Sequence, residues 1–365
     1  MTTGVSGVGE GELGARKDDH LTICADDDVG FRDAGTLLDG VRFVHDALPE
    51  LAVDDLDLRV RLFGKTLRAP IVIASMTGGT AEAAEVNRAL AAIAEERGYG
   101  FGLGSQRAMM KRPASTSSYR VRDVAPNALV LGNVGGVQAA RSSTAEIAAL
   151  LADVGADALC VHLNPAMELV QPEGDRDFRG VLAAIGRLVR ELERPVIAKE
   201  TGCGIGPAAA SKLRAVGVRH VDVSGAGGTS WVGVETKRAA GRDESKRALG
   251  EALWDWGVPT AVSTVACARA GFSTVIATGG VFSGLDVARA ISLGASAAGL
   301  ARPVLKALRA GGPEGARRFL DGVEAELRAV MLLVGAPDVD ALRRAPRVLG
   351  GELRGWLDQL GLGDR

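Results

Sequence analysis

The chain has 365 residues, 47% of them hydrophobic, and a net charge of −2. This size and apolar content allow one barrel-sized core, and the lack of a broad basic field argues against a nucleic-acid partner, so an anionic ligand needs a local pocket. The four cysteines are scattered without a C-x-x-C pair, which argues against a zinc site and a disulfide framework. We therefore expect reduced thiols and a cytoplasmic enzyme that binds a small phosphorylated ligand.

The first residues differ in composition from the rest of the chain. Residues 1–15 are rich in glycine and acidic side chains and lack an apolar core, so we expect neither a signal peptide nor a membrane anchor there. We expect a disordered tail over 1–15, followed by a single domain over 16–365 whose first part, 16–65, is an N-terminal extension.

Eight short apolar runs then alternate with amphipathic helical stretches, which is typical of parallel β/α units. Eight is the number of strands that closes a (β/α)8 TIM barrel, and the nearly continuous Val, Ile, Leu and Ala content suits strands covered on both faces. An open doubly wound α/β sheet is the alternative. The predicted strands are residues 70–75, 100–104, 129–133, 158–163, 196–199, 220–224, 274–278 and 297–301.

Two later segments depart from this alternation. The segment 235–245 lies between the sixth strand and its helix, and around Gly241 it has the charged residues Lys237, Arg238, Arg242, Asp243 and Glu244. Composition leaves two interpretations open, a mobile lid over the site and a solvated loop. The region after Pro313 has an amphipathic helical pattern, and its apolar residues 332–334 predict packing against the barrel or a neighbouring subunit.

The fourth predicted strand ends in a dense polar cluster. His162 and Asn164 are two residues apart and point the same way on an extended segment, and Glu168 can turn back over them from the following loop. Such a cluster suits a diphosphate and a hard metal ion. A polar loop whose groups satisfy one another is the alternative.

Three glycine clusters follow predicted strands, at residues 76–79, 224–229 and 278–281. Glycine lets backbone amides approach an anion, and a helix N-terminus adds unpaired N–H donors. The late strands of a barrel are where phosphate groups are usually held. We therefore predict that a cofactor phosphate lies against Gly227, Gly228, Thr229, Gly279 and Gly280.

The cofactor ring is then expected to lie across the barrel mouth, against the tips of the other strands. Lys199 ends the fifth strand, where its charge can stabilise a reduced, anionic ring. An ion pair with Glu200 or Asp222 is the alternative role for Lys199. The residues predicted to surround the ring are Ala74, Ser75, Met76, Ser105, Asn133 and Lys199.

Seven motifs together resemble the type 2 isopentenyl-diphosphate isomerases, a flavin-dependent family, over nearly the whole chain. They are R-K-D-D-H at 16–20, M-T-G-G at 76–79, G-S-Q-R at 104–107, H-L-N at 162–164, Q-P-E-G-D at 171–175, K-E-T-G at 199–202 and S-G-A-G-G-T at 224–229. The resemblance implies a (β/α)8 barrel that interconverts isopentenyl and dimethylallyl diphosphates with reduced FMN and Mg²⁺. It also implies NAD(P)H as the reductant of the flavin, and a homotetramer or homo-octamer.

The same resemblance assigns roles to individual residues. It implies that Glu168 binds Mg²⁺, that Ser224 and Ala301 join the FMN contacts, and that His162, Asn164 and Lys199 stand at the reacting centre. The residues that it places around the substrate diphosphate are Arg16, Lys17, Ser105, Arg107, His162, Asn164 and Gln171.

One position departs from the family pattern. The residue before the metal-binding glutamate is normally glutamine, to which proton handling has been assigned, whereas this chain has Met167. A thioether has no proton to give and accepts hydrogen bonds only weakly, but it is a flexible apolar surface. Three interpretations follow: the flavin suffices for isomerisation, the substrate or reaction differs, or activity is lost. We expect the isomerase, with Met167 as part of the pocket wall.

Three competing functions are considered. A flavin-dependent 2-hydroxy-acid oxidase would resemble S-N-H-G-G-R-Q after the sixth strand, where histidine is the base, but Ala226 occupies that place here. An isomerase or cyclase of a longer prenyl diphosphate would use Met167 to line a more apolar pocket. An inactive flavin-binding paralogue would bind the cofactor and turn over no prenyl diphosphate.

Overall fold

A computed structural model describes residues 10–363, with the side chains of residues 10–16 and 18 left out of the description. The strands are β1 Val41–Phe43, β2 Val60–Leu62, β3 Lys65–Leu67, β4 Ile71–Ile73, β5 Gly100–Gly102, β6 Leu129–Gly135, β7 Ala158–Leu163, β8 Val196–Glu200, β9 His220–Asp222, β10 Thr274–Ala277, β11 Ala297–Leu300 and β12 Arg347–Leu349. The helices are α1 Glu10–Asp26, α2 Ala81–Arg97, α3 Arg107–Lys111, α4 Gly136–Arg141, α5 Thr144–Val154, α6 Pro165–Val170, α7 Val181–Glu191, α8 Pro207–Ala215, α9 Trp231–Ala239, α10 Glu244–Ala252, α11 Thr260–Arg269, α12 Gly284–Ser292, α13 Arg302–Leu333, α14 Val339–Arg344 and α15 Gly351–Gln359.

Strands β4 to β11 form a closed barrel in sequence order, and β11 pairs with β4 to complete it. All pairs in the barrel are parallel, and helices lie between consecutive strands. Each predicted strand coincides with one of these eight, so the (β/α)8 prediction is confirmed and the open doubly wound sheet is excluded.

The amino end of the barrel is filled by side chains. Inward-pointing residues such as Val72, Leu131, Cys160 and Ile197 form one buried cluster with Leu62 and Leu67 of the β2–β3 hairpin. The hairpin turn adds Phe63, whose ring meets the His220 ring edge-on at 5.1 Å. Burial of each large aliphatic side chain contributes roughly 1.5–3 kcal/mol, so the hairpin is held firmly against the strands.

Strand alternation also determines which side chains point inward at the carboxyl end of the barrel. Successive inward positions are two residues apart, so Cys160 is followed by His162 and Ile197 by Lys199. The registers of the sheet place His162 beside Lys199, and Lys199 beside Asp222. Polar side chains therefore gather at the carboxyl ends of neighbouring strands.

Helix α1 and the segment after it pack against the barrel mouth. Arg302 donates hydrogen bonds to the backbone oxygens of Cys24, at 3.0 Å, and Asp27, at 2.6 Å. Gly30 forms a bridge with Thr229. The helix begins at Glu10, so residues 10–15 of the expected disordered tail are helical, whereas residues 1–9 lie outside the described residues.

The charged segment 235–245 is neither a lid nor a solvated loop over its first half. Residues 235–239 complete α9, and Glu235 is fully buried. Only the short turn from Ala240 to Asp243 separates α9 from α10. The sequence prediction failed here because Glu235 and Arg238 are paired inside the protein, which composition alone does not reveal.

The region after Pro313 is helical, as predicted, within α13, which is kinked at Gly311 and Gly312. Leu332 and Val334 pack against the core, whereas Leu333 stays 49% exposed. Within residues 10–363, no helix is long and apolar enough to cross a membrane.

Candidate active site

A cleft opens at the carboxyl ends of all eight barrel strands, and α1 forms one of its walls. Its empty volume is about 1430 Å³ when the part open to solvent is included. The predicted site residues that line it are Lys17, Ala74, Ser75, Met76, Ser105, Arg107, Asn133, His162, Asn164, Met167, Glu168, Gln171, Lys199, Ser224, Gly228, Thr229, Gly279, Gly280 and Ala301.

Two predicted site residues are not among them. Gly227 has φ +111°, and a Cβ there would come within 2.2 Å of the Thr36 amide nitrogen. Gly227 therefore lets the N-terminal extension approach closely on the side where a side chain would lie, and the contact of its backbone with a phosphate stays a prediction. The side chain of Arg16 lies outside the described residues.

A hydrogen-bond network fixes the His162 ring. Its Nδ1 lies 2.9 Å from Asn133 Oδ1, while Asn133 Nδ2 donates to the Leu103 backbone oxygen at 3.1 Å. Because the amide nitrogen is used by that carbonyl, Oδ1 is the acceptor, and the assigned network places a proton on Nδ1. Nε2 is then the ring nitrogen suited to a ligand in the cleft.

Glu168 is held by two donors at the start of α6. Asn164 Nδ2 donates to Oε1 at 3.0 Å, and the Asp175 amide donates to Oε2 at 2.7 Å. The turn that brings Asp175 back requires Gly174, because a Cβ there would lie 2.1 Å from the Glu168 backbone oxygen. Within residues 10–363, no group of three or more His, Cys, Asp and Glu side chains is placed to bind a metal.

Met167 lines the cleft beside the same asparagine. Its sulfur lies 3.8 Å from Asn164 Nδ2, a weak contact for a thioether acceptor. The side chain is half-buried, so it contributes apolar surface at the place where the family pattern has an amide.

Lys199 faces the cleft and is also paired. Its Nζ lies 3.1 Å from Asp222 Oδ2 and 3.1 Å from the backbone oxygen of Glu200. The ion pair considered as the alternative role is thus present, with Asp222 rather than the Glu200 carboxylate as the partner, while the role beside a cofactor ring stays a prediction. Thr278 donates to the other Asp222 oxygen, so the carboxylate is held from two strands.

The Glu200 carboxylate turns away to a cage of backbone donors. Its Oε2 accepts from the amides of Thr201 and Cys203 at 2.5 Å and of Gly204 at 3.1 Å. Burial nevertheless raises the pKa of Glu200 to about 8. The residue is not among those that line the cleft, so its role is to shape the loop after β8.

The two late glycine clusters pack directly on each other. A Cβ at Gly228 would lie 2.2 Å from the Gly280 nitrogen, and one at Gly279 would lie 2.2 Å from the Gly225 oxygen. Ser224 adopts φ +36°, a sparsely populated conformation for a residue with a side chain. The first turn of α13 lines the same end of the cleft, so two glycine loops and a helix N-terminus lie together where a phosphate was predicted.

Sequence reasoning predicted Gln171 as a site residue but missed Thr77 and Thr201. Thr77 Oγ1, Thr201 Oγ1 and Gln171 Nε2 are buried without a hydrogen-bond partner, although all three residues line the cleft. Buried polar atoms are normally paired, so a ligand is expected to satisfy these. Thr201 is two residues after Lys199, and strand alternation could have identified it.

The family model for FMN-dependent dehydrogenases matches residues 11–161 and 179–348. A mandelate oxidase variant with a monooxide FMN adduct has a similar fold, with a TM-score of 0.63 at 19% identity over 90% of this chain and 95% of that one. A flavocytochrome b2 variant with sulfite bound has a TM-score of 0.65 at 18% identity, over 89% of this chain and 81% of that one. These likenesses concern the fold. Ala226, where an oxidase would need its histidine, is fully buried here.

Curated relatives named isopentenyl-diphosphate delta-isomerase are far more similar in sequence. The Pyrococcus furiosus protein is 43% identical over 94% of this chain and 89% of its own length. The Methanosarcina acetivorans protein is 45% identical over 95% and 94%. The chain therefore belongs to the FMN-dependent dehydrogenase family and, within it, to the isopentenyl-diphosphate delta-isomerases.

Proposed function

We propose that this protein interconverts isopentenyl diphosphate and dimethylallyl diphosphate by a 1,3-allylic proton shift, with reduced FMN and Mg²⁺. The observation that carries the proposal is the arrangement of one cleft. Lys199 and the glycine loops form one part of its wall, and Lys17, His162, Glu168 and Gln171 form another. Sequence identity of 42–45% to isomerases agrees with it.

The residues of the cleft fit FMN. The backbone around Gly228, Thr229, Gly279, Gly280 and Ala301 would hold its phosphate, because glycine loops and a helix N-terminus line one end of the cleft together. Ala74, Ser75, Met76, Asn133 and Lys199 would border its ring, with Ser105 and Ser224 nearby. When bound and reduced, the flavin supplies a proton at N5 and an electron-rich ring.

The residues around the diphosphate would act by charge and by hydrogen bonds. Lys17 and Arg107 are cations suited to phosphate oxygens. The Ser105 hydroxyl and Gln171 Nε2, which has no hydrogen-bond partner, are neutral donors. His162, oriented by Asn133, would present Nε2 to the same anion, and the ring has to carry a proton on both nitrogens to donate a hydrogen bond there. Arg16 is proposed from the sequence alone.

Glu168 fits Mg²⁺ in its chemistry. Mg²⁺ keeps several waters and is commonly bound by one or two carboxylates together with substrate phosphates, so a three-residue cage is unnecessary. Asn164 and the Asp175 amide fix the carboxylate in place, which reduces the ordering that metal binding would require.

Met167 would exclude water from the hydrocarbon tail and cannot exchange a proton. Asn164, Trp231 and the flavin ring would complete the surroundings of the reacting carbons. A second candidate, a longer prenyl diphosphate substrate, is favoured by the apolar lining that Leu21, Met167, Val281, Phe282 and Leu305 provide.

The decisive test is anaerobic incubation with isopentenyl diphosphate, reduced FMN and Mg²⁺ in D₂O. We expect deuterated dimethylallyl diphosphate by mass spectrometry. Turnover confined to longer prenyl diphosphates would favour the second candidate. A yellow protein that exchanges no prenyl diphosphate would reject both and indicate an inactive paralogue.

We also propose NAD(P)H as the physiological reductant, a cytoplasmic location and a homotetramer or homo-octamer. Four free cysteine thiols support a reducing compartment. Exposed Val44, Leu48, Leu333 and Val348 support self-association. Light scattering would measure the oligomer, and stopped-flow bleaching of the flavin would compare NADH with NADPH.

A further inference from the structure

Arg238, on α9, contacts three carboxylates although it is not among the residues that line the cleft. Its side chain is 6% exposed, and its guanidinium nitrogens lie 2.5 Å from Glu235, 3.4 Å from Glu173 and 3.4 Å from Asp19. A guanidinium offers five donors in a fixed planar fork, so it can hold several carboxylates at once in a defined geometry that an ammonium does not impose.

These carboxylates come from three separate parts of the chain. Asp19 lies on α1, Glu235 lies one turn before Arg238 on α9, and Glu173 lies in the turn after α6. Arg238 therefore links segments that are 219 and 65 residues away from it in sequence. Such a link acts on the relative position of the segments as well as on stability.

A second contact reinforces the link to α1. His20 Nε2 lies 2.7 Å from Oε1 of Glu235, whose side chain is fully buried. Burial alone would raise the pKa of Glu235, but the charges and hydrogen bonds of His20 and Arg238 outweigh it and lower that pKa. The carboxylate is therefore ionised at neutral pH and holds both partners.

Both linked segments carry a proposed diphosphate ligand close to the link. Lys17 is two residues before Asp19, and Gln171 is two residues before Glu173. Lys17 and Gln171 both line the cleft. The carboxyl end of α1 has its own attachment through Arg302, so the contacts of Arg238 and Glu235 act on the end that carries Lys17.

We infer that Arg238 is a positioning residue for the diphosphate site, fixing α1 against the turn 171–175 so that Lys17 and Gln171 approach one anion. This inference rests on the proposed function, because it takes the substrate diphosphate as that anion. Arg238 itself touches no reacting group, and its effect is on substrate binding rather than on the chemical step.

The test uses the full chain loaded with oxidised FMN and Mg²⁺. In this form the protein should not turn over its substrate, because the proposed reaction needs reduced FMN. Calorimetry measures the affinity for inorganic pyrophosphate and for isopentenyl diphosphate, and hydrogen–deuterium exchange follows the amides of residues 19–26. We expect R238Q to lower the affinity for both diphosphates and to speed amide exchange in α1, each by about tenfold, which is the scale of one lost coupled contact. The affinity for FMN should stay within about twofold of the wild-type value. R238K keeps the charge without the fork and should recover part of the loss.

Milder variants cover the case in which R238Q folds poorly. Asp19 and Glu173 are partly exposed, so D19N and E173Q should fold and weaken pyrophosphate binding by about threefold each. If Asp19 acts through Arg238, adding D19N to R238K should lower the pyrophosphate affinity by a smaller factor than adding D19N to the wild type. In the reduced enzyme, KM should rise with kcat nearly unchanged, which a general loss of stability would not produce.

The matched control is R247Q on α10, which removes an exposed arginine paired with Glu244 and should change nothing. Unchanged α1 exchange and unchanged pyrophosphate affinity in R238Q, or in D19N and E173Q together, would overturn the inference. Failure of the wild-type protein to bind either diphosphate would instead reject the proposed function. In that case faster α1 exchange in R238Q would still support the link, and unchanged exchange would reject it.

Discussion

Lys199 and Asp222 are register partners on adjacent barrel strands, with the ammonium nitrogen 3.1 Å from a carboxylate oxygen. Both side chains are more than nine-tenths buried. The pair means that the cation beside the proposed flavin ring is largely balanced, so the net charge at the ring depends on Asp222 as much as on Lys199.

Replacing Asp222 with asparagine should raise the reduction potential of bound FMN. Removing the carboxylate leaves Lys199 unbalanced, and net positive charge favours the anionic reduced ring. A tenfold preference for the reduced form corresponds to about 30 mV for two electrons, which dye-linked reductive titration can resolve. The matched control is Asp177→Asn, at an exposed carboxylate paired with Arg179. An unchanged or lower potential in Asp222→Asn would contradict this account of the pair.

The Glu168→Gln substitution should raise the Mg²⁺ concentration needed for half-maximal turnover by at least about tenfold, because it removes the hard anionic donor. It should leave FMN affinity unchanged. A Mg²⁺ titration of turnover, with flavin fluorescence for cofactor binding, checks both. Equal Mg²⁺ dependence in the wild type and the variant would place the metal elsewhere.

The Met167→Gln substitution should change kcat for isopentenyl diphosphate by less than about tenfold, which corresponds to roughly 1.4 kcal/mol in the barrier. The reason is that Met167 acts as a wall and has no proton to exchange. Met167→Leu keeps the volume and serves as the comparison. A gain of several orders of magnitude for the glutamine variant alone would mean that methionine marks a changed or lost activity.

The raised pKa of Glu200, from 4.5 to about 8, predicts a pH-dependent stability. Between these values the unfolded chain releases the proton that the folded protein retains, so the free energy of unfolding falls as pH rises through the window. Glu200→Gln cannot titrate and should lack this slope. Thermal unfolding from pH 5 to 8.5 should show the wild type losing stability relative to the variant, and parallel curves would contradict the prediction.

Much of the site follows from the two-residue period of a strand. Once the strand at 158–163 is recognised, Cys160 inside the barrel predicts His162 at the rim, and Ile197 predicts Lys199 in the same way. The glycine loops are recognisable in the sequence because both tight strand-to-helix turns and close phosphate contacts favour glycine. The family motifs then supplied roles that no spacing could give.

Contacts that join distant parts of the chain could not be predicted from the sequence. Gly227 looks identical to Gly228 in sequence, yet one meets Thr36 and the other meets Gly280. The charges at 235–245 suggested solvent because their partners, His20 and Glu173, lie far away along the chain. Lys199 was left with two candidate partners, and only the register of β8 with β9 selects Asp222.

The β2–β3 hairpin determines the end of the barrel at which ligands can enter and leave. Within the described residues, the side chains of the hairpin close the barrel at the end opposite the cleft. Phe63 packs against His220 there. Coenzyme, substrate and product would then all pass through the cleft beside α1, and a flavin held against the strand tips would have to bind before the diphosphate. Excess prenyl diphosphate should accordingly trap the coenzyme inside and slow its escape.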